Sequence, residues 1–156
     1  MNILSDFKMI DKLYDASRAG VKIKLIVRGI CCLIPGVPGM SENIEAISVV
    51  DKYLEHSRIY IFGNDGNPEV FISSADFMTR NLDARVEVTC PIYDEDVKQE
   101  LIDTFNIGWR ANVKARIHAD DLKNRYRKTD GESFRAQAEL YKYYQNKLEV
   151  IAEKIL

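Results

Sequence analysis

Cysteine, proline and tryptophan are scarce in this chain of 156 residues, which contains three, four and one of them. Three cysteines allow at most one disulfide bridge, and a domain of this size does not need one to fold. None of the three forms a Cys-x-x-Cys pair, and we expect the adjacent Cys31 and Cys32 to be small packing residues rather than nucleophiles. This excludes a fold held together mainly by disulfides and indicates a cytoplasmic protein with reduced thiols.

Long apolar runs and a charge excess are also missing. The longest apolar run, residues 29–37, has nine residues and contains Pro35, so it is too short to span a membrane. The net charge is −2, which gives no overall basic surface for nucleic acid, and any anion site must be local. A hydrophobic fraction of 46% excludes a disordered chain. No signal segment opens the chain, and the helical pattern that begins almost at once is typical of a piece of a longer protein.

Hydrophobic periodicity predicts one α/β domain over residues 1–156, with strands in the first two thirds and helices in the last third. Asp6 is the predicted N-cap of the first helix, Gly20 its stop, and Ser41 the cap of a short second helix. We predict helices over residues 6–19, 41–46, 94–107 and 133–156. We predict strands over residues 21–28, 56–62, 70–73 and 84–90, with a hairpin turn at residues 63–67.

The strongest candidate site surrounds His56, at the start of one predicted strand. The next strand runs into further polar residues, so the hairpin places them near one another at common strand ends; they are Arg58, Ser73, Ser74, Asp76 and Arg80. Phosphoryl chemistry needs such a set: an imidazole to move a proton, guanidinium groups for phosphate oxygens, and a carboxylate to fix the imidazole tautomer. The alternative is a half-buried histidine beside strand hydroxyls. His118, in the predicted helical tail, is expected at the surface.

Arg28 ends a predicted parallel strand just before a loop rich in Gly and Pro. Ligands of α/β sheets collect outside the carboxyl ends of strands, although a plain surface arginine is the alternative. We expect Asp76 to orient His56 or a backbone turn. We do not expect Asp76 to bind a metal, because no second carboxylate is spaced to join it.

Arg85 and Arg80 follow this region of the sequence. Arg85 either serves the site or pairs with Glu87 or Asp83 at the surface, and Arg80 has the same ambiguity.

The pattern around His56 resembles the signature of the phospholipase D superfamily, H-x-K-x4-D followed by a hairpin and a G-S-x-N segment. His56 takes the histidine place, Arg58 the lysine place, and residues 73–76 the G-S-x-N place. Gly63 stands where the signature has its aspartate, and Asp76 where it has asparagine. These departures weigh against an intact phosphodiesterase motif.

A closer resemblance is to the C-terminal catalytic domain of bacterial polyphosphate kinases, over about residues 8–145. The most specific stretches are residues 19–21, 25–31, 33–36, 51–58 and 73–81. The resemblance implies a phospholipase D-like mixed sheet flanked by helices, with a long C-terminal helix. It also implies a reversible, magnesium-dependent transfer of the ATP γ-phosphate to polyphosphate through a phosphohistidine.

The same resemblance implies roles for individual residues. Arg28 would contact nucleotide phosphates, Arg85 would line the substrate tunnel, and His56 would be the second catalytic histidine, acting as general acid or phosphate ligand. The supporting residues would be Arg58, Ser74, Asp76 and Arg80. The phosphorylated histidine and the magnesium ligands are expected outside this chain, so no metal site is predicted within it.

The implied partners are ATP or ADP, polyphosphate, and the preceding domains of the same enzyme, which we expect to be a homo-oligomer. We expect the isolated chain to be inactive, and the enzyme to be cytoplasmic, with membrane association left open. Two other classes stay open. One is a phospholipase D-type phosphodiesterase built from two copies, and the other is a non-catalytic assembly module.

Overall fold

A computed structural model describes residues 1–121, 123–128 and 131–155, the side chains of residues 151, 154 and 155 excepted. The helices are α1 (Phe7–Arg18), α2 (Thr79–Asp83), α3 (Glu95–Arg110) and α4 (Ala136–Ile155). The strands are β1 (Ile23–Ile26), β2 (Ile44–Val49), β3 (Ile59–Phe62), β4 (Glu69–Ser73), β5 (Thr89–Ile92) and β6 (Ala115–Ile117). None of the helices in these residues is long and apolar enough to cross a membrane. The predicted mixed α/β class is confirmed.

The first sheet has the order β1-β2-β6 and lies between helices. β1 and β2 run parallel, and β6 is antiparallel to β2. One face, with Leu25 and Ile44, packs in a cluster that includes Ile10 of α1. The other face, with Ile47, packs against Trp109 of α3. Because both faces are covered, five of the six residues of β2 are buried, and only Glu45 is exposed.

The second sheet is an antiparallel meander, β3-β4-β5. A single turn of 3-10 helix, Asn64–Gly66, closes the predicted hairpin between β3 and β4. In that turn Asp65 has φ 52° and Gly66 φ 90°, the left-handed conformation that Asp and Gly adopt most readily. The start of β3, the end of β4 and the start of β5 therefore lie at one end of this sheet.

The extended N-terminal residues connect the two sheets. Leu4, which is fully buried, forms parallel bridges to Cys31 on one side and to Phe77 on the other. The amide of Gly29 donates to the carbonyl of Asn2 at 2.8 Å, and the amide of Phe77 donates to the carbonyl of Ile3 at 3.1 Å. This segment brings the loop after β1 next to the loop after β4.

Three of the four predicted helices are confirmed. Asp6 caps α1 by accepting from the amide of Met9 at 2.9 Å, and Gly20 follows its end with φ 90°. The helix expected from Ser41 is wrong, because residues 38–43 form turns and Ile44 already begins β2. Ser41 is buried in that turn, where its hydroxyl donates to the carbonyl of Ile34 at 2.6 Å. The last position of the predicted C-terminal helix, residue 156, lies outside the described residues.

Four further expectations are corrected. The strand predicted over residues 84–90 instead spans Thr89–Ile92 and includes Pro91, whose missing N–H an edge strand tolerates. The last third also contains a strand, β6. His118 directly follows β6 and is half-buried, with Nε2 3.2 Å from the carbonyl oxygen of Val27, rather than at the surface. Cys32 is exposed and so is not a packing residue.

Candidate functional site

The guanidinium of Arg28 is held in place by neutral partners. Arg28 lies just after β1, half-buried, where its Nε and Nη2 both donate to Oδ1 of Asn2, at 3.0 and 2.7 Å. Its remaining nitrogen, Nη1, is buried and has no hydrogen-bond partner within the described residues. Two contacts to one amide oxygen fix the plane of the guanidinium without neutralising its charge. Arg28 is therefore not the plain surface arginine of the alternative interpretation.

His56 lies directly beside Arg28. Its Nε2 is 3.2 Å from Nη2 of Arg28, although the two residues are 28 positions apart in the chain. Because a guanidinium only donates, a hydrogen bond between them requires the tautomer in which Nε2 is unprotonated. His56 is exposed and precedes β3 by three residues, so it belongs to the loop before the strand and not to the strand itself.

Arg58 and Asp76 form a two-point ion pair next to this position. Nε of Arg58 donates to Oδ1 of Asp76 and Nη2 donates to Oδ2, both at 3.1 Å. The two side chains are 18% and 7% exposed. Oδ1 of Asp76 also accepts from the amides of Asn2 and Ile3, at 2.8 and 3.3 Å. Asp76 thus holds Arg58 and the extended N-terminal backbone, and neither His56 nor a backbone turn as expected.

The pKa values of this pair follow from the same contacts. Burial works to raise the pKa of Asp76, but the hydrogen bonds from Arg58 and from the two backbone amides outweigh it and lower the pKa. The hydrogen bond to Asp76 raises the pKa of Arg58 against the opposing effect of burial. Arg58 and Asp76 are both charged at neutral pH, and each neutralises the charge of the other.

Ser74, at the end of the second sheet, is occupied by a structural contact. Its hydroxyl donates to a carboxylate oxygen of Glu87 and accepts from the amide of Val88 at 3.0 Å. The hydrogen bond from Ser74, followed by that from Asn81, lowers the pKa of Glu87. Ser74 therefore ties the end of β4 to the segment before β5.

Arg85 and Arg80 are both exposed, and neither forms an ion pair or a side-chain hydrogen bond within the described residues. Arg85 lies near enough to Glu87 to lower the pKa of that carboxyl group electrostatically. Arg80 lies on the short helix α2. Four of the candidate residues are linked by direct contacts. His56 contacts both Arg28 and Arg58, and Arg58 pairs with Asp76. Arg80 and Arg85 lie outside this group.

A family model described as the C-terminal domain 2 of polyphosphate kinase matches residues 1–137. The chain belongs to the polyphosphate kinase family. The polyphosphate kinase of Vibrio cholerae serotype O1 is 50% identical over 147 residues, which are 94% of this chain and 21% of that protein. The polyphosphate kinase of Escherichia coli strain K12 is 48% identical over 144 residues, 92% of this chain and 21% of that protein.

The fold agrees with that of a solved family member. The crystal structure of polyphosphate kinase from Porphyromonas gingivalis superposes with a TM-score of 0.93 and 50% sequence identity, over 96% of this chain and 23% of that one. The chain thus spans about a fifth of the length of the curated polyphosphate kinases that it matches. The resemblance inferred from the sequence is confirmed at the level of the family.

Magnesium has no fitting ligand set in the part of this polyphosphate kinase domain that the structure describes. No group of three or more His, Cys, Asp or Glu side chains there is arranged to hold a metal ion. The carboxylate of Asp76 already accepts hydrogen bonds from Arg58 and two amides, whereas a hard cation needs several free oxygen ligands. No step of the chemistry is therefore assigned to a metal bound by these residues.

Two residues that shape the site were not predicted as site residues from the sequence. Asn2 holds Arg28 with its side chain and contacts Asp76 through its backbone, but nothing in the N-terminal sequence distinguishes it. Glu87 faces Ser74 and Asn81, and its only sequence signal is its place in the alternating segment before β5. Both residues act through tertiary contacts. Those of Asn2 reach Arg28, 26 positions away, and Asp76, 74 positions away.

Proposed function

We propose that this chain is a single domain of a larger polyphosphate kinase, in which it binds phosphate groups of the substrates during reversible transfer of the ATP γ-phosphate to polyphosphate. The family membership and the paired placement of Arg28 and His56 support this proposal. The nucleophile that carries the phosphoryl group and the magnesium ligands would lie in the preceding domains. We therefore expect no turnover and no stable phosphorylation of the isolated chain.

The observation that carries the proposal is the unpaired charge of Arg28, which acts on the carboxyl group of Glu55 only at a distance. No carboxylate forms an ion pair with it within the described residues; its hydrogen-bond partners there are an amide oxygen and an imidazole nitrogen. Its Nη1 also lacks an acceptor, and a buried donor without an acceptor costs about 1–3 kcal/mol. A phosphate beside the guanidinium would supply the opposite charge, and its oxygens would reach the buried Nη1 only where the surrounding residues move apart on binding.

His56 would act next to the same phosphate. Its exposed ring contacts Arg28, so a phosphate bound by the guanidinium would lie within reach of the imidazole. The imidazole would donate a proton or a hydrogen bond to a phosphate oxygen, which stabilises the negative charge that both substrates bring together. Arg58 and Asp76 would support this arrangement by fixing the backbone on either side, and Arg85 would add a more distant positive charge.

The phosphodiesterase alternative is not favoured, because Arg58 in the lysine place is occupied by Asp76. A phosphodiesterase would hydrolyse an aryl phosphodiester without nucleotide and would lose that activity in His56→Ala. We expect no hydrolysis above the level of that variant. The homo-oligomeric state and membrane association remain expectations about the whole enzyme, to be measured by light scattering and by fractionation.

The decisive experiment is steady-state kinetics of the full-length enzyme with ATP and polyphosphate. A charge-assisted hydrogen bond contributes about 1.5–3 kcal/mol, and a partner left unpaired adds to the loss, so Arg28→Ala should lower kcat/KM by about ten- to several-hundred-fold. Arg28→Lys should recover part of the loss, because it restores the charge without the two-pronged geometry. Arg18→Ala, which removes an exposed arginine from α1, is the matched control and should change little. Wild-type kinetics in Arg28→Ala with an unchanged melting temperature would refute the proposal.

A further inference from the structure

The loop that carries His56 has no regular structure of its own. Residues 50–58 link β2 to β3 without helix or strand, and residues 52–57 are exposed. A loop without further contacts samples many conformations. A side chain on such a loop is in position to contact a substrate for only part of the time. The structure nevertheless places the ring of His56 against Arg28. The contacts that hold this loop therefore bear on the site.

Arg135, just before α4, holds Asp51 near the start of this loop. Its Nε donates to Oδ2 of Asp51 at 2.8 Å and its Nη2 to Oδ1 at 2.6 Å. The side chain of Asp51 is only 2% exposed, whereas that of Arg135 is 47% exposed. The hydrogen bond from Arg135 lowers the pKa of Asp51. A two-point pair of this kind fixes an orientation as well as a distance.

Gln137 holds the same loop two residues further on. Its side-chain nitrogen donates to the carbonyl of Tyr53 at 2.8 Å, and its side-chain oxygen accepts from the amide of Tyr53 at 3.0 Å. These are the two hydrogen bonds that a residue of a neighbouring β-strand would exchange with Tyr53. The loop backbone is thus satisfied by one side chain, 84 positions away in the chain.

The base of this arrangement is itself anchored in the core. Ala136, between the two holding residues, is 4% exposed and packs in the cluster that contains Trp109. Phe134, which precedes Arg135, exchanges two hydrogen bonds with Asn112. The amide of Asn112 donates to the carbonyl of Phe134 at 3.1 Å, and the side-chain oxygen of Asn112 accepts from the amide of Phe134 at 2.7 Å. Arg135 and Gln137 therefore extend from a fixed point of the molecule.

We propose that Arg135 and Gln137 are positioning residues, which hold residues 51–56 so that His56 stays beside Arg28. The inference rests on the proposed function of His56. It means that residues at the start of the C-terminal helix determine where the ring of His56 lies. The two residues contact neither Arg28 nor His56, so they act on the reaction only through the loop. Their loss should lower kcat more than it raises KM, because Arg28 would still bind phosphate while the imidazole is misplaced.

The test combines hydrogen exchange and kinetics in the full-length enzyme, with the variants Arg135→Gln and Gln137→Leu. Each should speed amide exchange by about tenfold or more in peptides that cover residues 50–58, and leave β1 and β2 protected. Each should lower kcat by about tenfold with a KM for ATP within about twofold of wild type. Arg135→Lys should restore part of both effects. Lys142→Gln, which removes an exposed ion pair with Glu139 from the same helix, should change neither.

Unchanged exchange in residues 50–58 would overturn the inference, whatever the activity. So would faster exchange with an unaltered kcat, since the loop would then be held for stability alone. Exchange that speeds up throughout β1 and β2 would also overturn it, by showing a general structural role. The variant Arg28→Ala separates these outcomes from the proposed function, because it removes the guanidinium proposed to bind phosphate and leaves the contacts of Arg135 and Gln137 with the loop in place.

Discussion

Arg28 and Arg58 stand at the ends of different sheets and contact the same histidine residue, one through its ring and the other through its carbonyl oxygen. Arg58 directs two of its nitrogens to a buried carboxylate, so its charge is neutralised within the fold. Arg28 directs two to a neutral amide and keeps its charge. The partner of an arginine, and not the residue type, therefore decides whether its side chain stabilises the fold or is available to a ligand.

Asp76→Ala should give the largest loss of stability. It leaves the guanidinium of Arg58 half-buried without its carboxylate and deprives the amides of Asn2 and Ile3 of their acceptor. Breaking such a pair should lower the free energy of unfolding by about 2–4 kcal/mol. The midpoint of urea unfolding measures it. Asp83→Ala, which removes an exposed ion pair with Lys8, is the control and should change the midpoint little. Equal midpoints in the two variants would contradict a structural role for Asp76.

Arg58→Ala and Arg28→Ala should separate stability from activity. Arg58→Ala should cost about 1–3 kcal/mol of unfolding free energy, because Asp76 keeps its two backbone donors but loses the guanidinium. Arg28→Ala should cost less stability and far more activity. Urea unfolding and steady-state kinetics on both variants test the contrast. A greater loss of unfolding free energy in Arg28→Ala than in Arg58→Ala would contradict this prediction.

Acidification should remove the contribution of Asp76 to stability. The pKa of Asp76 is lowered in the fold, so its stabilisation is fully present above the unfolded value of about 3.9 and is lost as the pH falls through the folded value. The difference in melting temperature between the wild type and Asp76→Asn should therefore narrow as the pH falls from 7 towards about 3. A difference that stays constant over this range would show that the carboxylate charge does not stabilise the pair.

Arg85→Ala should have the smallest effect. Its exposed side chain acts at a distance, and salt at about 0.1 M screens exposed charges beyond about 10 Å. We expect kcat/KM to fall by about threefold or less at that salt concentration, and by more at low salt. Steady-state kinetics of wild type and variant over a series of ionic strengths measures this salt dependence. A loss of kcat/KM as large as that of Arg28→Ala, and independent of salt, would mean that Arg85 contacts substrate directly. The contrast between Arg28 and Arg85 would then be wrong.

The sequence predicted local features well where the signal was itself local. The N-cap at Asp6, the stop at Gly20 and the hairpin between β3 and β4 follow from side chains and turn residues close in sequence. The predictions that failed concern segments whose state is set by distant partners. Ser41 has the chemistry of a helix cap, but its hydroxyl bonds to Ile34 in a turn, and the apolar residues after it complete a sheet.

The family and the fold class could be inferred from the sequence alone, and the resemblance to that family proposed Arg28 and His56 as phosphate-binding residues. The pairing of the charged side chains could be seen only in the folded chain. Asp76 had two candidate roles in the sequence, and the folded chain turns it towards Arg58 and the N-terminal backbone. Asn2 and Gln137 could not be found in advance, because a hydrogen bond between residues 26 or 84 positions apart leaves no periodicity in the chain. Long-range pairing of polar groups is decided by packing, and packing belongs to the whole fold.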